Sequence, residues 1–164
     1  MSSSDRRAFL SALAVLPLAA CGFRPLHAPE NRENSLRGKV QAEAPENARQ
    51  FRFVARFEDR IGRAAAPLWT LRYEIALRQL AVGVTPDNVT TRYNLSGRLS
   101  WSLLQVGGEE AVLSGVIENF TSYSATGTTV AVRTARQDAE NRLMIILADQ
   151  LVAQLFAQSE KLAP

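Results

Sequence analysis

The residues that most often carry catalysis or bind metals are nearly missing from this chain: 164 residues include one cysteine, Cys21, and one histidine, His27. A single cysteine excludes an internal disulfide, and one histidine beside it excludes a Cys/His zinc site. His27 lies in a polar stretch with two prolines, where a solvated loop histidine is expected. No Ser/His/Asp set and no glycine-rich phosphate loop after a strand can be found. The acidic pairs Glu58-Asp59 and Glu109-Glu110 are adjacent in sequence, which suits a helix surface and a turn, not two carboxylates facing one bond. No catalytic residue, metal site or cofactor is therefore expected. The net charge is only +3, from arginines scattered along the chain. That is not the dense basic stripe of a nucleic-acid binder. The apolar stretch at residues 8–20 is too short for a spanning helix, which needs about 20 residues. What remains is a chain of 46% apolar and 21% charged residues, enough for one domain with a core of its own.

What is present begins at the N-terminus. Residues 1–5 are small and polar, Arg6-Arg7 is a positive pair, and residues 8–20 are apolar. These are the n-region and h-region of a secretory signal. The segment "RRAFL" fits both the twin-arginine route and the general export route. Leu18-Ala19-Ala20-Cys21 has the form of a bacterial lipobox, cut just before a cysteine that then carries acyl chains on its sulfur and its new amino group. The lone cysteine is thus expected to hold diacylglycerol and an N-acyl chain such as palmitate. Each buried CH₂ adds about 0.8 kcal/mol, and stable anchoring takes more than one chain. The expected organisation is a signal peptide at 1–20, a lipidated tether at 21–37 and one domain at 38–164. Gly22 after the cysteine favours the outer membrane over retention at the inner one.

Periodicity supplies the domain. Residues 38–44 form a weak strand that Pro45 ends. Residues 46–64 suit a helix, with Ala48, Phe51, Ala55, Glu58 and Gly62 on one line, Val54 and Ile61 beside it, and Phe53 and Phe57 widening the stripe. Glu46 near its start complements the helix dipole, and Gly62 is its stop. Three strand patterns follow with period two. Trp69, Leu71, Tyr73, Ile75 and Leu77 alternate with Thr70, Arg72, Glu74, Ala76 and Arg78. Tyr93, Leu95, Gly97, Leu99, Trp101 and Leu103 alternate with Asn94, Ser96, Arg98, Ser100 and Ser102. Ala111, Leu113, Gly115 and Ile117 alternate with Val112, Ser114, Val116 and Glu118. Turn signals "TPDN" and "GGEE" separate them, so an antiparallel meander is expected. A last helix of about 40–45 Å occupies residues 129–158, with Arg133, Arg136, Glu140 and Asp149 on its solvated side. The order β-α-β-β-β-α lets both helices cover one sheet face. The other face is left bare with Arg72, Arg78 and Arg98 among hydroxyl and amide side chains, an array suited to a polar partner or to phosphates.

The pieces "AACGFRPL", "FEDRIG", "YNLSGRLSWSLL" and "DAENRLMIILADQL", in that order, resemble the LptE family of lipopolysaccharide-assembly lipoproteins in its alphaproteobacterial form. The resemblance extends over essentially all of residues 21–164. It implies a two-layer α/β fold with two helices on one face of a four-stranded, mostly antiparallel mixed sheet. It also implies a non-enzymatic role at the periplasmic face of the outer membrane: plugging the β-barrel translocon that inserts lipopolysaccharide into the outer leaflet. Among individual residues, only Cys21 carries over from the family. Arg72, Arg78 and Arg98, as contacts for the partner or for lipopolysaccharide, rest on strand alternation. Two other readings fit the residues: an auxiliary lipoprotein of an ABC-type envelope lipid-transport system, and a periplasmic lipid-modifying enzyme using scattered Asp, Ser and Tyr. The anchor has a direct test. Cys21→Ala abolishes incorporation of labelled acyl chains and leaves uncleaved precursor; labelling that persists refutes it.

Overall fold

A computed structural model describes residues 36–162, so the signal stretch, Cys21 and His27 lie outside the described residues. The chain runs β1 (Val40–Ala42), α1 (Ala48–Ile61), β2 (Trp69–Val84), β3 (Thr90–Gln105), β4 (Ala111–Ser124) and α2 (Thr129–Ala157), ending in a 3₁₀ turn at Ser159–Leu162. The sheet order is β1-β2-β3-β4. β1 is parallel to β2, and the other pairs are antiparallel. This is the expected mixed four-stranded sheet with two helices in the expected order.

Local chemistry sets the boundaries. Asn47 caps α1, its side-chain oxygen accepting from Arg49 N and Gln50 N at 3.2 and 3.0 Å; a cap of this kind satisfies donors that the first turn leaves free. Glu46 therefore lies just outside the helix. Gly62 ends it at φ 85°, a conformation that glycine adopts without the clash of a Cβ. Its neighbour in space is Gly38, whose N–H donates to Ile61 O at 2.9 Å. A Cβ on Gly62 would approach Gly38 N to 3.4 Å, so the two glycines let the end of α1 meet the start of β1. Thr128 caps α2 through a bond from Ala131 N. Asn88, at φ 60°, turns β2 into β3.

One apolar layer joins the sheet to the helices. From the sheet it takes Leu71, Leu95, Leu99, Trp101, Leu103, Leu113, Ile117 and Tyr123; from α2 it takes Leu143, Met144, Leu147, Ala148, Leu151, Val152 and Leu155. Gly97 sits beneath α2, and a Cβ there would lie 3.1 Å from both Leu143 and Leu147. Gly115 plays the same part for the ring of Trp101, which a Cβ would meet at 3.0 Å. Both positions lack a side chain because a neighbour fills the space.

Two helix-face assignments are corrected. In α1 the buried residues are Phe53, Val54, Phe57 and Ile61, while Phe51 is 64% exposed. The docked stripe is thus centred on Phe53 and Phe57, and the line through Ala48, Phe51 and Ala55 faces outward. The aromatic contact of Phe53 with Tyr73, at 5.0 Å between ring centroids, fixes that orientation. In α2, Asp149 faces α1, not solvent. Arg56 holds it in a two-pronged bond, Nε to Oδ1 at 2.9 Å and Nη2 to Oδ2 at 3.1 Å, and Arg60 reaches it at 3.3 Å. The hydrogen bond to Asp149 raises the Arg56 pKa further above its usual value. An arginine fork on a carboxylate is directional as well as charged, so this contact sets the register between the helices.

The notch at Gly97 makes a quantitative prediction. Gly97→Val overpacks against Leu143 and Leu147 and costs about 1–3 kcal/mol, while Leu147→Ala alone costs about 2–5 kcal/mol. In urea unfolding the double variant loses less than the sum of the two, because each change relieves the other; strict additivity would disprove the contact.

Candidate interaction face

The face of the sheet away from the helices can be read from the register. Its rows across β2, β3 and β4 are Arg72–Ser102–Ser114, Glu74–Ser100–Val116, Ala76–Arg98–Glu118, Arg78–Ser96–Phe120 and Leu80–Asn94–Ser122. Residues on one strand face that lie diagonally across a pair have Cα atoms about 7–8 Å apart. Arg78 and Arg98 are such neighbours, and with Ser96, Ala76 and Glu118 they line a shallow depression of about 360 Å³. Arg72 does not join them. It lies six positions from Arg78 along the strand, about 20 Å, and its Nε bonds Glu43 Oε1 at 3.2 Å.

The three arginines expected on this face are all exposed there, but their settings differ. Arg98 is ion-paired with Glu118, and Arg72 with Glu43. Arg78 has no such pair among the described residues. Exposed ion pairs of this kind contribute little to stability, so Arg72 and Arg98 can exchange partners at small cost. With Glu43, Glu74 and Glu118 interleaved, the face alternates in sign and is not uniformly basic.

An apolar component also emerges. Val112, Val116 and Phe120 on β4 are 45, 46 and 63% exposed, and Leu80 on β2 is 57% exposed. Alternation of Val112 and Val116 was visible in the sequence. Phe120 lies two positions beyond Glu118 on the same period-two row, and the strand runs on to Ser124. Continuing period two to Ser124 would have found it. Arg92, exposed on the same face of β3, was likewise legible by parity.

The opposite end of the face adjoins Tyr73 and Trp101, which pair across β2 and β3. Tyr73 Oη and Trp101 Nε1 are buried without a hydrogen-bond partner among the described residues. Burial, followed by the charges of Glu43 and Glu46, pushes the Tyr73 phenol up to about 12. Among the described residues no three His, Cys, Asp or Glu side chains are grouped to hold a metal ion. A concavity of about 530 Å³ beside α1 is lined by Pro45, Phe51, Val54, Ala55, Glu58, Asp59 and Arg63; its charges are largely engaged, since Arg63 bonds Glu58 at 3.1 Å. A broad amphipathic surface fits a macromolecular partner better than a small substrate, whose sites are concave.

The chain belongs to the LptE family, described as lipopolysaccharide-assembly, whose model matches residues 38–155. Similar solved structures include a putative lipoprotein from Caulobacter crescentus, with TM-score 0.66 and 21% identity over 81% of this chain and 98% of that one. Rare lipoprotein B from Shewanella oneidensis has TM-score 0.55 and 19% identity over 74% and 94% of the respective chains. A minor lipoprotein from Acinetobacter baumannii has TM-score 0.56 and 13% identity over 73% and 90%. At these identities the likeness establishes the fold. No curated protein sequence matches the chain. The family assigns the protein a role in lipopolysaccharide assembly among envelope-associated lipoproteins. No helix among the described residues is long and apolar enough to cross a membrane.

The Tyr73 environment yields a pH prediction. The phenol ionises near pH 10 in the unfolded chain and near 12 in the folded one. The unfolded state therefore binds fewer protons between these values, and stability falls as pH rises through that window. Tyr73→Phe removes an unpartnered hydroxyl. It preserves or raises stability at pH 7 and flattens this alkaline fall, measured by urea unfolding from pH 8 to 12. A large loss at pH 7 would show that the hydroxyl has a partner.

Proposed function

We propose that the protein is a non-enzymatic lipoprotein of the outer membrane, held at the periplasmic face by diacylglycerol and N-acyl chains on Cys21. It plugs and supports the β-barrel that inserts lipopolysaccharide into the outer leaflet. The observation that carries this reading is the bare sheet face. Three long strands present rows of alternating charge, hydroxyls and valines over an area with no enclosed pocket, and no element among the described residues covers it. Membership of the LptE family supports the assembly role. A barrel wall offers the matching chemistry, because the interior of such barrels is polar and strand-lined.

Within that face the paired arginines Arg78 and Arg98 are the contact proposed for lipopolysaccharide phosphates, which guanidinium groups recognise with two parallel bonds. Arg72, bonded to Glu43 at the far end of β2, is assigned to the protein partner.

The test is affinity purification from membranes. The parent chain brings down a large β-barrel protein together with lipopolysaccharide. Arg78→Glu with Arg98→Glu lowers bound lipopolysaccharide at least about tenfold, or 1.4 kcal/mol, with circular dichroism unchanged. Recovery of an inner-membrane ABC transporter without any barrel would overturn the barrel role. Lipopolysaccharide binding unaffected by the double reversal would remove the arginine assignment while leaving the barrel role standing.

A further inference from the structure

β2 has sixteen residues, but its outer neighbour β1 has three. β1 pairs only with Trp69, Thr70 and Leu71, and its last bond is Glu43 N to Leu71 O at 2.9 Å. Pro45 then turns the chain into α1. Because Trp69 N also bonds Lys39 O, the odd-numbered residues of β2 direct their backbone groups toward the β1 side. Beyond Leu71 these are Tyr73, Ile75, Leu77, Gln79 and Ala81. Their N–H and C=O groups have no backbone partner among the described residues. The open edge spans about 27 Å, with donors and acceptors repeating about every 7 Å.

The other edge of the sheet is treated differently. On β4, Phe120 N donates to the Asn119 side chain at 2.7 Å, and Arg142 Nη2 of α2 donates to Ser122 O at 3.4 Å. Side chains thus blunt the distal part of β4. A long edge without proline and, among the described residues, without cover invites pairing, and β2 is regular from Tyr73 to its bulge at Ala81 and Gly83.

We propose that the Tyr73-to-Ala81 edge of β2 is a strand-addition site, which receives one extended segment of a partner polypeptide in line with β1. Only another backbone matches an alternating row of donors and acceptors. Ile75 and Leu77, partly buried against the core, form the shelf for apolar side chains on the segment's inner side. On the outer side Glu74 and Arg78 ask for a basic and an acidic residue four positions apart. A second copy of this chain does not meet these terms. Pairing two β2 edges so that Glu74 faces Arg78 brings Ala81 of the second copy opposite Leu71, the place that Ala42 occupies. Shifting the register to clear β1 leaves Glu74 opposite an apolar residue.

This site is the backbone edge and meets the arginine depression at Arg78, so its test reads the edge amides and not arginine reversal. Hydrogen exchange is read on the full lipidated chain, alone in detergent and in the assembly isolated from membranes. In the free chain the amides of Tyr73, Ile75, Leu77, Gln79 and Ala81 exchange fast, while those of Glu74, Ala76 and Arg78, bonded to β3, are slow. In the assembly the five fast amides slow at least about 100-fold. A second variant works on the same edge. Gln79→Pro removes a donor aimed at open space, which an edge strand tolerates. Its melting temperature stays close to the parent's, but recovery of the partner falls at least about tenfold, whereas Gln79→Ala recovers it fully. Fast edge amides in the assembly, full recovery by Gln79→Pro, or protection that appears only with self-association of the free chain would each overturn the proposal.

Discussion

The packing of α2 on the inner face of β3 and β4 is the contact on which the rest of the molecule depends. Leu143 and Leu147 rest where Gly97 leaves room, and Leu151, Val152 and Leu155 belong to the same buried cluster as Phe53, Phe57 and Ile61 of α1. A helix of 29 residues gives this small domain most of its buried apolar surface on the helical side. Burial of that kind is the main favourable term in folding. α1 then needs only a narrower stripe, Phe53, Val54, Phe57 and Ile61, and takes its register from Arg56 and Arg60 on Asp149.

Spending both helices on one side has a structural consequence. Among the described residues no element is left to cover the other side, so three long strands leave their second face bare. The outer rows show how such a face stays compatible with water: charges alternate in sign, hydroxyls lie between them, and the exposed valines lie on β4 and at the far end of β2. The same economy leaves β1 three residues long and the edge of β2 open. A surface and an edge left incomplete in one chain are the usual mark of a component that finishes its structure against another protein. This is the physical content behind membership of an assembly family.

Much of this was legible from residue order. Strict period-two alternation on β2 and β3 placed Leu71, Leu99 and Leu103 inside and Arg72, Arg78 and Arg98 outside, because a strand with one buried face has no other solution. α1 was ambiguous for a physical reason. Phe51 and Ala55 define one apolar line and Phe53 and Phe57 another, and contacts distant in sequence, Phe53 on Tyr73 and Arg56 on Asp149, decide which docks. Asp149 looked like a surface residue, since a carboxylate in a helix reads as solvated until a partner helix brings arginines to it. The distance of Arg72 from Arg78 follows from strand rise, but its bond to Glu43, twenty-nine residues earlier, is one that no local pattern reveals. Phe120 follows from period two alone, two positions beyond Glu118 on the same row.

The central claim is that the bare sheet face meets a β-barrel wall. Photo-cross-linking residues placed at Ser100 and Ser114 on that face, and at Arg133 on α2 as a control, test it most directly in intact outer membranes. The account predicts that Ser100 and Ser114 capture one large β-barrel protein while Arg133 captures it weakly. Capture from Arg133 alone, or capture of ABC-transporter subunits from the sheet face, would contradict it.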